Sequence, residues 1–193
     1  AEACLGVKYD REPLIVGTSG RYEFKNKGLD VFVDSLLKLS EDDSLQRPVL
    51  AYVTVPAGNN GPRTMSITTP GISRKVITVG CSDDDREVLV GGNRMVDYSG
   101  RGPTAACICK PDLVAPGCSV VSCSSRADKY TIKSGTSMST PIVSGAVALL
   151  LERFPDMSNK DVKLRLRESS VDIGLPRNQQ GWGLLDVGKM LER

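Results

Sequence analysis

Apolar and polar positions alternate along this chain in short, well-separated blocks. Leu14, Ile15 and Val16 form an apolar run that breaks into Gly17-Thr18-Ser19-Gly20, which predicts a strand followed by a turn. Val31, Leu36, Leu37 and Leu39 recur at helical spacing, so a surface helix is expected from about residue 30, with a polar connector behind it. The run 49–55 reads as a strand stopping at Pro56, and 76–79 as another bounded by Gly80. Near-continuous apolarity of this kind suits parallel strands covered on both faces. Residues 119–123 and 130–133 predict a hairpin. Between 141 and 151 every position is apolar or small, which predicts a helix buried all round that ends before Pro155. Ser158 and Asp161 then form a capping-box start for a helix reaching about residue 167, with Asp in place of the usual Glu. The sum is an α/β fold, helices packed on a mainly parallel sheet.

Composition narrows the possible functions. With 193 residues and 40% hydrophobic content, one domain with a sizeable core is expected. Basic and acidic side chains number 25 and 23, a net +2, so the balance points to no polyanionic partner. The basic residues are scattered, and five Tyr, three Phe and one Trp give little for base stacking, so no nucleic acid is expected. The longest apolar stretch is too short for a membrane span, and residues 1–20 lack the layout of a secretory signal. Six cysteines permit disulfides in an oxidising compartment; small, mostly free thiols are the favoured alternative. No metal site is expected: only Cys107 and Cys109 approach zinc-ligand spacing, no histidine completes a set, and the acidic 83–87 stretch reads as a solvated turn.

Candidate chemistry centres on Ser137, in a tight Gly-Thr-Ser-Met turn at the mouth of the apolar helix, with Pro141 expected in the first helical turn. A helix N-terminus offers unpaired N–H groups and a positive dipole end, which suits a nucleophile whose attack creates an oxyanion. Alone, such a serine reads as a helix cap. Two further motifs change that reading: VLAYVTVPAGNNGP at 49–62 and KPDLVAPG at 110–117. Together with GTSMSTP, and with KVITVGCSDDD, DYSGRGP and GWGLLDV, they resemble the subtilisin-like serine peptidases, or subtilases, in the family's own order. The similarity is dense from about residue 51 to 187 and looser before that.

The resemblance implies a three-layer subtilisin-like fold, a mainly parallel sheet with helices on both faces, incomplete in this chain. It implies an endopeptidase that forms an acyl-enzyme on Ser137, with the Asn59 carboxamide and the Ser137 N–H donating to the oxyanion. Thr18, Ser19, Gly20, Ala57 and Gly58 would bind substrate backbone, and Asn60 and Thr68 would line an uncharged P1 pocket. Ile142 stands where many relatives carry a non-catalytic histidine, and Pro116 and Gly117 would shape the loop behind the site. The 193 residues contain no histidine. The family's His and Asp lie ahead of the matching segment, so residues 1–193 correspond to the C-terminal part of a catalytic domain and are expected to be inactive alone. The implied partners are a peptide or protein substrate and the N-terminal portion of the same domain, without a cofactor, in a secreted or cell-envelope setting. The alternative is an inactive subtilase-like module that binds peptide strands by edge addition.

Overall fold

The computed structural model describes residues 14–19, 29–41, 49–83, 94–124 and 129–192. Cys4, Gly20 and the 84–87 acidic stretch lie outside them. Strands β1 (Leu14–Ser19), β2 (Val49–Pro56) and β3 (Ile77–Asp83) run parallel. β4 (Arg94–Met95) pairs antiparallel with the end of β3, and β5 (Leu113–Pro116) pairs parallel with β3. This is the mainly parallel sheet that the apolar runs predict.

Two strand boundaries differ from expectation. Gly17, Thr18 and Ser19 continue β1, because pairing with Tyr52, Val53 and Thr54 satisfies their backbone in extended form rather than as a turn. β3 runs through Gly80 to Asp83 and is buried throughout. Gly80 is a packing glycine inside the strand: a Cβ there would lie 2.9 Å from Val114 Cγ1. Asp83 accordingly ends a strand, not a solvated turn.

Helix α1 (Leu29–Ser40) turns a half-buried Phe32, Leu36 and Leu39 stripe inward, while Val31 and Leu37 face out. Helix α2 (Thr136–Arg153) lies across β1, β2, β3 and β5. Its Val143, Ala146, Val147, Leu150 and Leu151 join Ile77, Val79, Leu113 and Ala115 in the core, with Val162, Leu166 and Met190 closing it from the C-terminal segment. The helix is not buried all round. Pro141, Gly145, Ala148 and Leu149 are exposed, Leu149 by 48%. One helix resting on one sheet can bury a single stripe, and among the described residues nothing covers the other. Pro141 is also displaced from the first turn: the helix starts five residues earlier, so the ring removes the N–H that would bond the Ser137 carbonyl.

Helix α3 (Asn159–Ser169) starts as expected: the Ser158 hydroxyl accepts from the Asp161 N–H and the Asp161 carboxylate accepts from the Ser158 N–H. Short helices α4 (Arg177–Gln180) and α5 (Val187–Leu191) follow. β6 (Val120–Cys123) and β7 (Tyr130–Lys133) form a separate antiparallel hairpin leading into α2. Where β3 and β5 begin, the buried Lys110 Nζ donates to Asp112 Oδ2 at 2.6 Å, Thr78 Oγ1 at 2.9 Å and the Val76 carbonyl at 3.2 Å. Lys163, from α3, donates to the Arg74 and Val76 carbonyls and approaches the other Asp112 oxygen at 3.9 Å. No helix of the described residues is long and apolar enough to cross a membrane.

Candidate active site

Parallel strands that end together bring their following loops to one edge of the sheet, where binding sites form in open α/β folds. Here Thr18 and Ser19 close β1 beside Val53 and Thr54, and β2 runs on into Ala57, Gly58, Asn59 and Asn60. Ala57 extends the ladder through its N–H to the Val79 carbonyl at 2.8 Å, and its own carbonyl accepts from Thr68 N–H at 3.0 Å. Gly58 has φ of 94°, a conformation that disfavours a side chain; a Cβ there would also lie 2.6 Å from Thr68 Oγ1 and Cγ2. Its carbonyl accepts from the Gly100 N–H at 2.8 Å, and Gly61 N–H donates to the Tyr98 carbonyl at 2.9 Å. The Asn59 loop is thus held between the 96–101 segment and Thr68. Asn60, next along, is exposed.

The second half of the site arrives from α2. The Asn59 Oδ1 accepts from the Thr136 N–H at 3.1 Å and from Thr136 Oγ1 at 2.9 Å, across 77 residues of sequence. It is the helix cap, taking the place that a preceding Ser or Asp side chain fills in most helices. Because a backbone N–H can only donate, that bond fixes which end of the carboxamide faces the helix and leaves Nδ2 directed elsewhere. Gly135 precedes the helix with φ of 151°, and a Cβ on it would sit 3.3 Å from Asn59 Nδ2 and 3.8 Å from Ser137 N. A side chain at 135 would therefore crowd the Asn59 carboxamide, whose Oδ1 is also 3.8 Å from that point, so glycine lets the loop and the start of α2 approach each other. Neither Asn59 Nδ2 nor the Ser137 N–H has a partner among the described residues.

Of the residues singled out from sequence, Asn59, Ser137, Ala57, Gly58 and Thr68 gather in this corner. Thr18 and Ser19 end the neighbouring strand at the same edge, and Gly20 lies outside the described residues. Sequence reasoning missed Thr136 and Gly135, one clamping Asn59 and the other letting it approach α2. Their adjacency to Ser137 in the Gly-Thr-Ser turn was the available signal. Cys81 lies under the site, fully buried, and burial pushes its thiol pKa up, so it is no thiolate nucleophile at neutral pH. This corner supplies donors and a hydroxyl but no base.

A family model described as the subtilase family matches residues 20–183. The chain belongs to the subtilase family. It is 40% identical over 131 residues to serine protease AprX of Bacillus subtilis (strain 168), a match covering 61% of this chain and 30% of that protein. It is 30% identical over 196 residues to minor extracellular protease Vpr of the same organism, covering 86% of this chain and 23% of the relative. Among solved structures, sphericase superposes with a TM-score of 0.63 at 30% identity, over 71% of this chain and 48% of that one. This subtilase chain thus spans under a third of each of these two curated relatives and just under half of sphericase. The fold expectation, a subtilisin-like parallel sheet with helices that is incomplete in this chain, agrees with that overlap.

Proposed function

We propose that this chain carries the nucleophile and oxyanion portion of a serine endopeptidase, with the Asp and His supplied by a segment outside these 193 residues. The observation that supports it most is the convergence of Asn59 on the start of α2: Oδ1 is bonded to Thr136, and both Nδ2 and the Ser137 N lie within 4 Å of where a Gly135 Cβ would sit. Both N–H groups are without a partner among the described residues, and the carboxamide is held by Thr136, so it need not reorient when charge develops. A histidine base takes the Ser137 Oγ proton as the oxygen attacks the peptide carbonyl, and the carbonyl oxygen gathers negative charge beside those two N–H groups. The protonated base then gives its proton to the departing amine, leaving an ester on Ser137 that water hydrolyses. Thr18, Ser19 and Gly20 line the extended substrate, and Asn60 and Thr68 bound an uncharged side-chain pocket. Ala57 and Gly58, expected from sequence to bind substrate backbone, are buried, and the Ala57 N–H and both their carbonyls are already bonded within the chain, so they shape the Asn59 loop instead.

The base needs a route to Ser137. Ser137, Pro141, Gly145 and Ala148 follow one another by four, four and three residues, a single stripe along α2, and the last three are exposed. A Cβ on Gly145 would meet nothing within 4 Å. We assign that stripe to the segment that brings the histidine. A fluorophosphonate probe on the full-length protein tests the reading: it labels Ser137, and Ser137→Ala abolishes labelling and lowers peptide hydrolysis about a million-fold, a figure known from a subtilase. Peptide binding without labelling, with the histidine-bearing segment present, would favour the inactive module instead.

A further inference from the structure

Cys81 lies between the segment that holds the Asn59 loop and the Gly117 loop that meets the start of α2, and nothing in the acyl-transfer scheme uses it. On one side its N–H donates to Ser99 Oγ at 3.0 Å and its Sγ lies 3.4 Å from the Tyr98 hydroxyl. Tyr98 and Gly100 are the residues whose backbone holds the Asn59 loop. On the other side is Gly117, the loop after β5. A Cβ on Gly117 would lie 2.1 Å from Ser139 Oγ, 2.7 Å from Cys81 Sγ and 2.9 Å from the Gly135 carbonyl. Gly117 in turn accepts from the Gly135 N–H at 2.9 Å. Ser139, on the first turn of α2, is fully buried, and its hydroxyl has no hydrogen-bond partner among the described residues. It sits against the Cys81 thiol, whose pKa it lowers against the effect of burial.

We propose that Cys81 is a positioning residue: its side-chain volume, wedged between the Tyr98 loop and the Gly117–Ser139 contact, sets the separation of Asn59 Nδ2 from the Ser137 N–H. The inference rests on the peptidase reading for its consequence and on the packing alone for its geometry. A larger side chain at position 81 pushes the serine turn away from the Asn59 loop, and a smaller one lets the two sag together. Interiors are packed densely enough that one or two added methylenes are transmitted rather than absorbed.

The test is a volume series in the full-length protein: Cys81→Ala, Cys81→Ser and Cys81→Leu. Selective 15N-asparagine labelling follows the Asn59 carboxamide, identified by its loss in Asn59→Asp. Cys81→Leu is expected to shift that signal and to lower kcat by about 10²-fold, the cost of an ångström-scale misplacement, with KM little changed. Cys81→Ala, which cannot overpack, shifts the signal and lowers kcat by less, while the near-isosteric Cys81→Ser stays close to wild type. An unmoved Asn59 signal and unchanged kcat in folded Cys81→Ala or Cys81→Leu would overturn the proposal. A moved signal in a protein whose Ser137 never labels would leave the packing role standing and remove the peptidase reading.

Discussion

Two polar clusters in this chain are built on opposite principles. Where β3 and β5 begin, each of the three Lys110 ammonium hydrogens has an acceptor, and Asp112 Oδ2 takes both that ammonium and the Thr78 N–H at 2.7 Å. Thr78 Oγ1 passes its own proton to the Gly71 carbonyl. Burial lowers the Lys110 pKa and the adjacent carboxylate pulls it back, so the charge is kept because its partner is beside it. At the sheet edge, by contrast, Asn59 Oδ1 is used twice while its Nδ2 and the Ser137 N–H have no partner among the described residues, and Gly135 adds no side chain to crowd them. A cluster that closes all its valences holds a fold together; one that closes all but two donors is ready for a guest.

That contrast can be broken from either side. Asp112→Ala should be among the more severe stability variants, costing about 3–5 kcal/mol because it strands a buried ammonium. Chemical denaturation measures it, and specific activity of the remaining folded protein should be unchanged. A loss below about 1 kcal/mol, the range of exposed pairs, would mean the network is solvent-screened after all. At the sheet edge, Asn59→Asp keeps two acceptors for Thr136 and places a negative charge at a helix N-terminus, so the melting temperature should hold or rise slightly. It removes the Nδ2 donor, and kcat should fall about 10²–10³-fold, the range found for such a donor in a subtilase. Equal loss of stability and rate would instead make Asn59 a cap and nothing more.

The smallest expected effect lies away from both clusters. Ser158→Ala removes one arm of the α3 capping box and should cost about 1 kcal/mol. The Ser158 hydroxyl and N–H hold the Asp161 pKa below its ordinary value of 3.8. A depressed carboxylate stabilises the fold at pH above its unfolded value and loses that contribution as pH falls through the folded one. Stability should therefore decline on the acid side of about pH 4, and less steeply in Ser158→Ala, as read by denaturation midpoints across pH.

The sequence made the strand-and-helix order legible, because β2, β3 and α2 bury runs that periodicity exposes directly. Ser137 and Asn59 came to notice through the motifs that resemble the subtilases, because the Gly and Asn content of their turns alone reads as a helix cap and a tight turn. Contacts made across long separations were not visible. Nothing near Asn59 says that Thr136 will hold its oxygen, and nothing near Asp112 names Lys163. Gly80 and Gly117 illustrate the ambiguity: a glycine may end a strand or admit a neighbour, and only the neighbour's position decides. Pro141 and the open side of α2 were misjudged together, since an apolar stretch carries no sign of which flank will be left uncovered.

The grip of Thr136 on Asn59 has a thermal consequence. A carboxamide steered by the opening peptide of a helix is only as steady as that opening turn, and helix ends loosen before the bodies they terminate. Warming should let the amide swing out of line while the sheet beneath is still intact. Inactivation would then precede melting and reverse on cooling.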